Sequence, residues 1–456
     1  MLAVPTVFKR IIILTCLSLL ALAPFKDTHA QRINLIRDAE IENTIRTFVI
    51  PIWRAAGLDP NGVEIMIVQD GSLNAFVAGG QRIFINTGLI MRTETPNQLI
   101  GVLAHESGHI AGGHLIRMQE ELRALSTMQI LESILAGGAM AGGAVSGGIG
   151  RGGPSGGGNK APGSLMSFLK YSQTQESAAD QAAMSYLQKT GQSPKGTIEF
   201  LRTLQKEERL AITQRDPYLT THPLTPDRIA AFEEAAARSP YVNTPDTPQF
   251  LAMHQRMVAK LFGFVAPDVA LQRFSEADRS IAARYARGIA LYRKGALGSA
   301  LLTIDGLLKE YPNDPYFNEV RGQMLYENGR AAEAVVSYRR AVQLLPASGL
   351  LKIDLARALL DTNNPENDRE ALRNLELAVQ TESGSFELWR LMAAGYSKQN
   401  NAGMTSLARA EMAILRGQRS EAQSHAAAAE RSLPPGTPAW HRAQDIKAYI
   451  DSRPRR

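Results

Sequence analysis

The chain has 456 residues, 44% of them hydrophobic and 21% charged, with a formal net charge of +6 and a single cysteine. That length exceeds one ordinary core and predicts two or three domains. The composition is that of an ordinary soluble chain, and its basic residues are dispersed without aromatic interleaving, which argues against nucleic acid as a partner.

Residues 1–30 read as an export signal: Lys9 and Arg10 supply the charged start, Ile11 to Ala23 the apolar core, and Thr28-His29-Ala30 the small residues before cleavage ahead of Gln31. Thirteen apolar residues are few for a membrane span, although Pro24 to Asp27 makes the cleavage region untidy and leaves an uncleaved anchor as the alternative. The sole cysteine, Cys16, sits inside this segment, where Thr15 before it and Leu17, Leu19 and Leu20 after it disfavour lipidation. A chain beginning at Gln31 has no cysteine, which suits an oxidising periplasm and excludes thiol chemistry. Three positive charges and one negative charge lie within residues 1–30, so that chain carries +4.

Residues 31–265 read as the first folded domain, opening on a helical stretch through Ile36, Ile41, Ile45 and Phe48. Val63 to Val68 is rich in β-branched residues and followed by Asp70-Gly71, the signature of a strand ending in a turn. Asn74 to Ala78 and Arg82 to Asn86 read as two strands around Gly79-Gly80. Such a hairpin offers an edge strand, with Asn74, Ala75 and Phe76 as candidate substrate-binding residues through backbone pairing.

His105-Glu106-Ser107-Gly108-His109 follows a run, Asn97 to Ala104, with apolar residues at helical spacing. Four residues advance about 400° on a helix, so the two imidazoles share a face and can grip one metal ion. This is the H-E-x-x-H pattern of zinc peptidases, in which the histidines are ligands and the glutamate is the general base. A catalytic zinc needs a third protein ligand. His114 is one candidate, but on a continued helix it lies about 180° from His105, so it reads as a structural or supporting residue. Glu176 is the better one, with Asp180 one turn later placed to accept a proton from the distal nitrogen of a ligand histidine.

Between these helices, residues 137–159 have glycine at almost every second position and read as a mobile loop. Apolar shoulders, Ile130 to Leu135 before it and Leu165 to Phe168 after it, suggest a lid over the metal or a peripheral membrane contact.

The set His105-Glu106-x-x-His109, Glu176-x-x-Ala179-Asp180 and Asn74-Ala75-Phe76-Val77 resembles the gluzincin family that includes the HtpX and CAAX prenyl protease membrane enzymes. The likeness is strongest to its soluble periplasmic branch, in which tetratricopeptide repeats follow the peptidase. The resemblance implies an HEXXH zincin-type α+β peptidase domain in a mainly α chain. It further implies one Zn2+ per chain held by His105, His109 and Glu176, with Glu106 as general base, and a role in outer-membrane protein quality control. It places His222-Pro223 and Arg228 near the active site, where His222 either stabilises the oxyanion or occupies the open metal position of a resting enzyme, and Arg228 binds substrate or holds a carboxylate. Thr225-Pro226 after them is a good helix start.

From residue 275 to 450 the chain becomes repetitive: Gly288, Tyr292, Gly295, Ala300 and Pro312 recur 34 residues later as Gly322, Tyr326, Gly329, Ala334 and Pro346. That is the period of tetratricopeptide repeats, which stack as an α-solenoid and usually bind proteins. The next alanines, Ala371 and Ala378, arrive three residues late through the Asn363-Asn364-Pro365 insertion, Trp389 to Lys398 opens a degenerate unit, and Gly417, Ala422 and Leu433-Pro434 suggest a last one. Two functions are consistent with this order: a zinc endopeptidase acting on polypeptides such as outer-membrane proteins or their assembly machinery, and a chaperone or interaction protein with a latent metal site.

Overall fold

The structure is a computed structural model that describes residues 34–117, 173–210 and 222–452. The expected signal and the glycine-rich segment 137–159 with its apolar shoulders lie outside them.

The first elements are β1 (Leu35–Ile36) and helix α1 (Ala39–Ala55). Ile36 belongs to the strand rather than to the expected helix, because Asp38 caps α1 by accepting from the Ile41 amide at 2.9 Å, fixing the helix start beyond it. Strands β2 (Glu64–Val68), β3 (Ala75–Ala78) and β4 (Arg82–Asn86) complete a four-stranded sheet in the order β1-β2-β4-β3. The β3–β4 hairpin is antiparallel, pairing Ala75 with Ile85 and Ala78 with Arg82, and leaves β3 at the sheet edge. Strand β4 also runs parallel to β2, a pairing between non-adjacent strands that no local turn signal announces. Ile65, Ile67, Ile83 and Ile85 alternate with Glu64, Met66, Arg82 and Phe84, so the isoleucines of both strands enter one core.

After the short α2 (Thr87–Arg92), helix α3 (Pro96–Ala111) starts at Thr95, whose hydroxyl accepts from the Gln98 amide at 3.3 Å, with Pro96 in the first turn. Every residue from Pro96 to His109 is buried, so α3 is the axle of the domain. Around it lie α1, β3, α4 (Gln173–Lys189) and α5 (Lys195–Leu210), with α6 (Pro226–Ala237) closing against α4 and α5.

Helices α7 (Pro248–Val265) and α8 (Pro267–Arg273) lead into a helical array. Helices α9 (Ile281–Arg293), α11 (Pro315–Tyr326) and α13 (Gly349–Leu360) start 34 residues apart, as do α10 (Leu297–Glu310), α12 (Ala331–Leu344) and α14 (Pro365–Glu382). The recurrent small residues are packing contacts: a Cβ at Gly322 would meet the Tyr338 ring at 2.8 Å. Helix α14 begins on schedule at Pro365 but is 18 residues long, so the three-residue delay is an added turn at its start that carries Ala371 into the buried slot held by Ala334 one repeat earlier. Helices α15 (Phe386–Lys398), α16 (Ala402–Leu415), α17 (Arg419–Ser432) and α18 (Pro438–Asp451) continue the array, with Trp389 to Lys398 in α15 and Gly417 at the α16–α17 turn.

A buried ionic knot ties the array to the sheet-bearing part. Lys260 of α7 is fully buried, with Asp38 at 2.8 Å, Glu319 of α11 at 3.0 Å and Glu40 at 3.5 Å. Arg256, one turn before it, pairs with Glu40 at 2.7 Å and with Asp314, and lies 4.3 Å over the Phe317 ring. The Tyr285 hydroxyl donates to Glu40 at 2.8 Å. Burial opposes the charge on Lys260, but the surrounding carboxylates outweigh it and hold its pKa well above the usual lysine range. Removing one member of such a cluster leaves unpaired buried charge. Lys260→Met is therefore expected to cost about 3–5 kcal/mol in urea unfolding, whereas Arg238→Ala, which breaks an exposed pair with Glu234, should cost under about 1 kcal/mol.

Candidate metal centre

Helices α3 and α4 approach so closely that a Cβ on Gly108 would meet the Ala179 carbonyl oxygen at 2.9 Å. This contact lets a carboxylate from α4 reach the α3 imidazoles. His105 Nε2 and His109 Nε2 lie 3.1 Å apart, and Glu176 stands 3.4 Å from the first and 3.2 Å from the second. His222, in the loop before α6, completes the group: its Nδ1 is 3.3 Å from His105 Nε2 and 3.0 Å from Glu176 Oε1. All four side chains are buried, and their donor atoms fall within 4.8 Å of one another.

These separations fit one small metal ion. Tetrahedral bonds of about 2.0–2.1 Å place neighbouring donors roughly 3.3–3.4 Å apart. The separations given above run from 3.0 to 3.4 Å, and the whole set falls within 4.8 Å. Three nitrogens and a carboxylate oxygen suit zinc, and the same set is acceptable to other first-row divalent ions.

A further shell of side chains orients the donors. His105 Nδ1 lies 2.8 Å from Asp180, which keeps its proton on that nitrogen and presents Nε2 as the donor. Arg228 grips Asp180 with Nε at 2.7 Å and Nη2 at 2.8 Å, forms an ion pair with Glu176 at 2.7 Å, and donates to the Pro223 carbonyl at 2.9 Å. The Thr225 cap, accepting from the Arg228 amide at 3.3 Å, sets the helix start from which this clamp projects. Burial opposes ionisation of Glu176 and Asp180, but their cationic and hydrogen-bonding neighbours prevail and hold both pKa values down.

Glu106 differs from these carboxylates. It is fully buried, neither of its oxygens has a hydrogen-bond partner among the described residues, and His222 Nε2 is 3.5 Å away. Burial pushes its pKa up against the pull of His222 and His105, a change that suits a group exchanging a proton near neutrality.

Of the other expected residues, Asn74, Ala75 and Phe76 are side-chain-buried, Phe76 stacking on Phe84 at 5.0 Å. Ala75 and Phe76 join the core and Asn74 is buried just before the strand, which leaves the backbone of the edge strand as the part of the hairpin open to the expected pairing. His114 does not follow a continued helix: α3 ends at Gly112, Gly113 adopts φ +62°, and the imidazole folds back to His109. His254 lies apart, 2.8 Å from the Thr93 hydroxyl. The small alanines of α4 point to a close helix approach and the resemblance allows Arg228 to hold a carboxylate, but that Gly108 is the facing residue and that Arg228 pairs with both Glu176 and Asp180 escaped sequence reasoning, since these partners are far apart in the chain and carry no spacing rule.

A helix-borne His-Glu-x-x-His, a carboxylate from a second helix and a buried glutamate without a hydrogen bond among the described residues define a metallopeptidase. Residues 36–236 match peptidase family M48. Over a longer span the chain is similar to the beta-barrel assembly-enhancing protease of Yersinia pestis, 24% identical over 365 residues that cover 78% of this chain and 72% of that one. It is also similar to the protein of that name from Escherichia coli (strain K12), 22% identical over 396 residues covering 86% and 79%, and to a putative one from Vibrio cholerae, 24% identical with 76% and 71% covered. Among solved structures, the crystal structure of MamA aligns over 36% of this chain at 18% identity and a TM-score of 0.28, too slight a likeness to argue from.

In the protein without metal, burial disfavours a charge on His105, but Glu176 and Asp180 outweigh it and raise its pKa to about 10. Metal needs the free lone pair, so binding must expel that proton. Calorimetric titration of zinc at pH 7.5 in buffers of different ionisation enthalpy is expected to find about one proton released per metal, with affinity falling about tenfold per pH unit as the pH drops.

Proposed function

We propose that the chain is a periplasmic zinc-dependent endopeptidase that hydrolyses peptide bonds of misassembled outer-membrane proteins and assists their assembly, with the helical repeats binding clients or assembly machinery. The observation that carries the reading is the four-donor cluster beside the buried carboxylate of Glu106, which has no hydrogen bond among the described residues. The names of the similar proteins support the outer-membrane setting, and the sequence character of residues 1–30 supports export.

In this reading His105, His109 and Glu176 hold one zinc ion. When bound, zinc supplies Lewis acidity that polarises the scissile carbonyl and makes water nucleophilic near neutral pH. Glu106 takes the proton from the attacking water and returns it to the leaving amine, which its raised pKa favours. Asp180 and Arg228 keep the donors oriented while charge shifts through the site. Strand β3, at the sheet edge, offers its backbone to an extended substrate.

His222 supplies the fourth donor of the resting site. Seated there, it closes the site, since a catalytic zinc keeps one position free of protein. The closed arrangement also favours a second reading, in which the protein acts mainly as a chaperone and the metal site is latent.

Glu106→Gln should keep one zinc per chain and lower proteolysis of a casein-type substrate by about 10²–10⁴-fold. His222→Ala should keep the metal and, by opening the fourth position, raise basal proteolysis above wild type. Metal content and cleavage measured side by side check both. Activity unchanged in Glu106→Gln sinks the hydrolytic assignment, and full metal with no cleavage in wild type and His222→Ala alike establishes the latent site.

A further inference from the structure

His114 lies outside the donor set, yet it is buried and in direct contact with it. Its Nδ1 is 2.9 Å from His109 Nδ1, and the two rings meet edge to face with centroids 5.0 Å apart. On an uninterrupted helix a residue five positions on points about 140° away, so the contact requires the chain to leave the helix. It does so at Gly112 and Gly113. Gly113 takes φ +62°, and Gly112 yields the space the imidazole occupies, since a Cβ there would lie 2.5 Å from His114 Nε2 and 2.9 Å from the neighbouring ring carbons.

Two imidazole nitrogens at hydrogen-bond distance need one proton between them. His109 turns Nε2 toward His105 and Glu176, at 3.1 and 3.2 Å, so Nε2 is its metal-facing atom and the proton belongs on Nδ1. His114 Nδ1 is then the acceptor, and His114 carries its own proton on Nε2.

We propose that His114 is a positioning residue for the metal: by accepting from His109 Nδ1–H it fixes the tautomer and ring orientation that present His109 Nε2. Asp180 does this for His105 with a carboxylate, whereas His114 does it with a neutral ring and adds no negative charge to the site. The inference rests on the metal-site reading above and adds a residue to it.

The test compares two substitutions of similar volume, His114→Asn and His114→Leu. Each fills the vacated space, but only asparagine offers an acceptor where Nδ1 stood. Zinc affinity is measured on the full chain by competition with a chromophoric chelator, alongside thermal unfolding of the metal-stripped proteins. The expected result is a loss of about 10–100-fold in His114→Leu, recovery to within about threefold of wild type in His114→Asn, and similar unfolding temperatures for the two stripped variants. Equal affinity in the two variants, whether both strong or both weak, overturns the positioning role. If wild type binds and the variants do not differ, only this inference falls; if wild type itself takes up no zinc, the metal reading falls with it.

Discussion

The contact between Gly108 of α3 and Ala179 of α4 is the constraint on which the site depends. A helix pair separated by ordinary side chains would hold the Glu176 carboxylate too far from the imidazoles, which lie on the same face as Gly108. Two turns earlier on nearly the same face the device is repeated: a Cβ on Gly101 would collide with Thr197, so α5 is also drawn in. With α4 and α5 this close and α1 and β3 packed on it as well, α3 is buried almost from end to end, and its polar residues must find partners inside the protein.

That burial sets the electrostatics. His105, Glu176, Asp180 and Arg228 each offset the cost of removing the others from water, and together they form a chain of contacts from the α6 cap to the donor atoms. For Glu106 burial outweighs the pull of His222 and His105, and its carboxyl is pushed up where the others are held down. Environment alone thus separates a carboxylate suited to holding a cation from one suited to moving a proton, though both are glutamates.

The Lys260 knot applies the same physics at another joint. It gathers the N-terminal end of α1, helix α7 and the repeat helices α9 and α11 around one buried ammonium. Buried ion pairs contribute little net stability against an apolar alternative, but their geometry is exacting and gives the joint one arrangement rather than several. The knot therefore ties α1 and α7 directly to the first repeat helices.

Features legible in the sequence were those with local causes. The i, i+4 spacing of His105 and His109, the Gly79-Gly80 hairpin, the Thr225 cap and the 34-residue period each follow from backbone geometry over a few turns or from a repeated unit. Glu176 was legible only beside the histidines, as an acidic residue with another one turn later. The parallel pairing of β2 with β4, the added turn of α14 and the strand assignment of Ile36 were not, because each depends on where a distant element or a single cap falls. The amino-acid sequence by itself therefore determined the chemistry on offer: two imidazoles and a glutamate on one helix, an acidic partner helix, and a repeat array. Only the tertiary structure decided that His222 reaches the fourth donor position, that Arg228 bridges two carboxylates, and that His114 turns back onto His109, since side chains far apart in sequence meet through packing, and a reversal at glycine redirects what helical periodicity would have sent away.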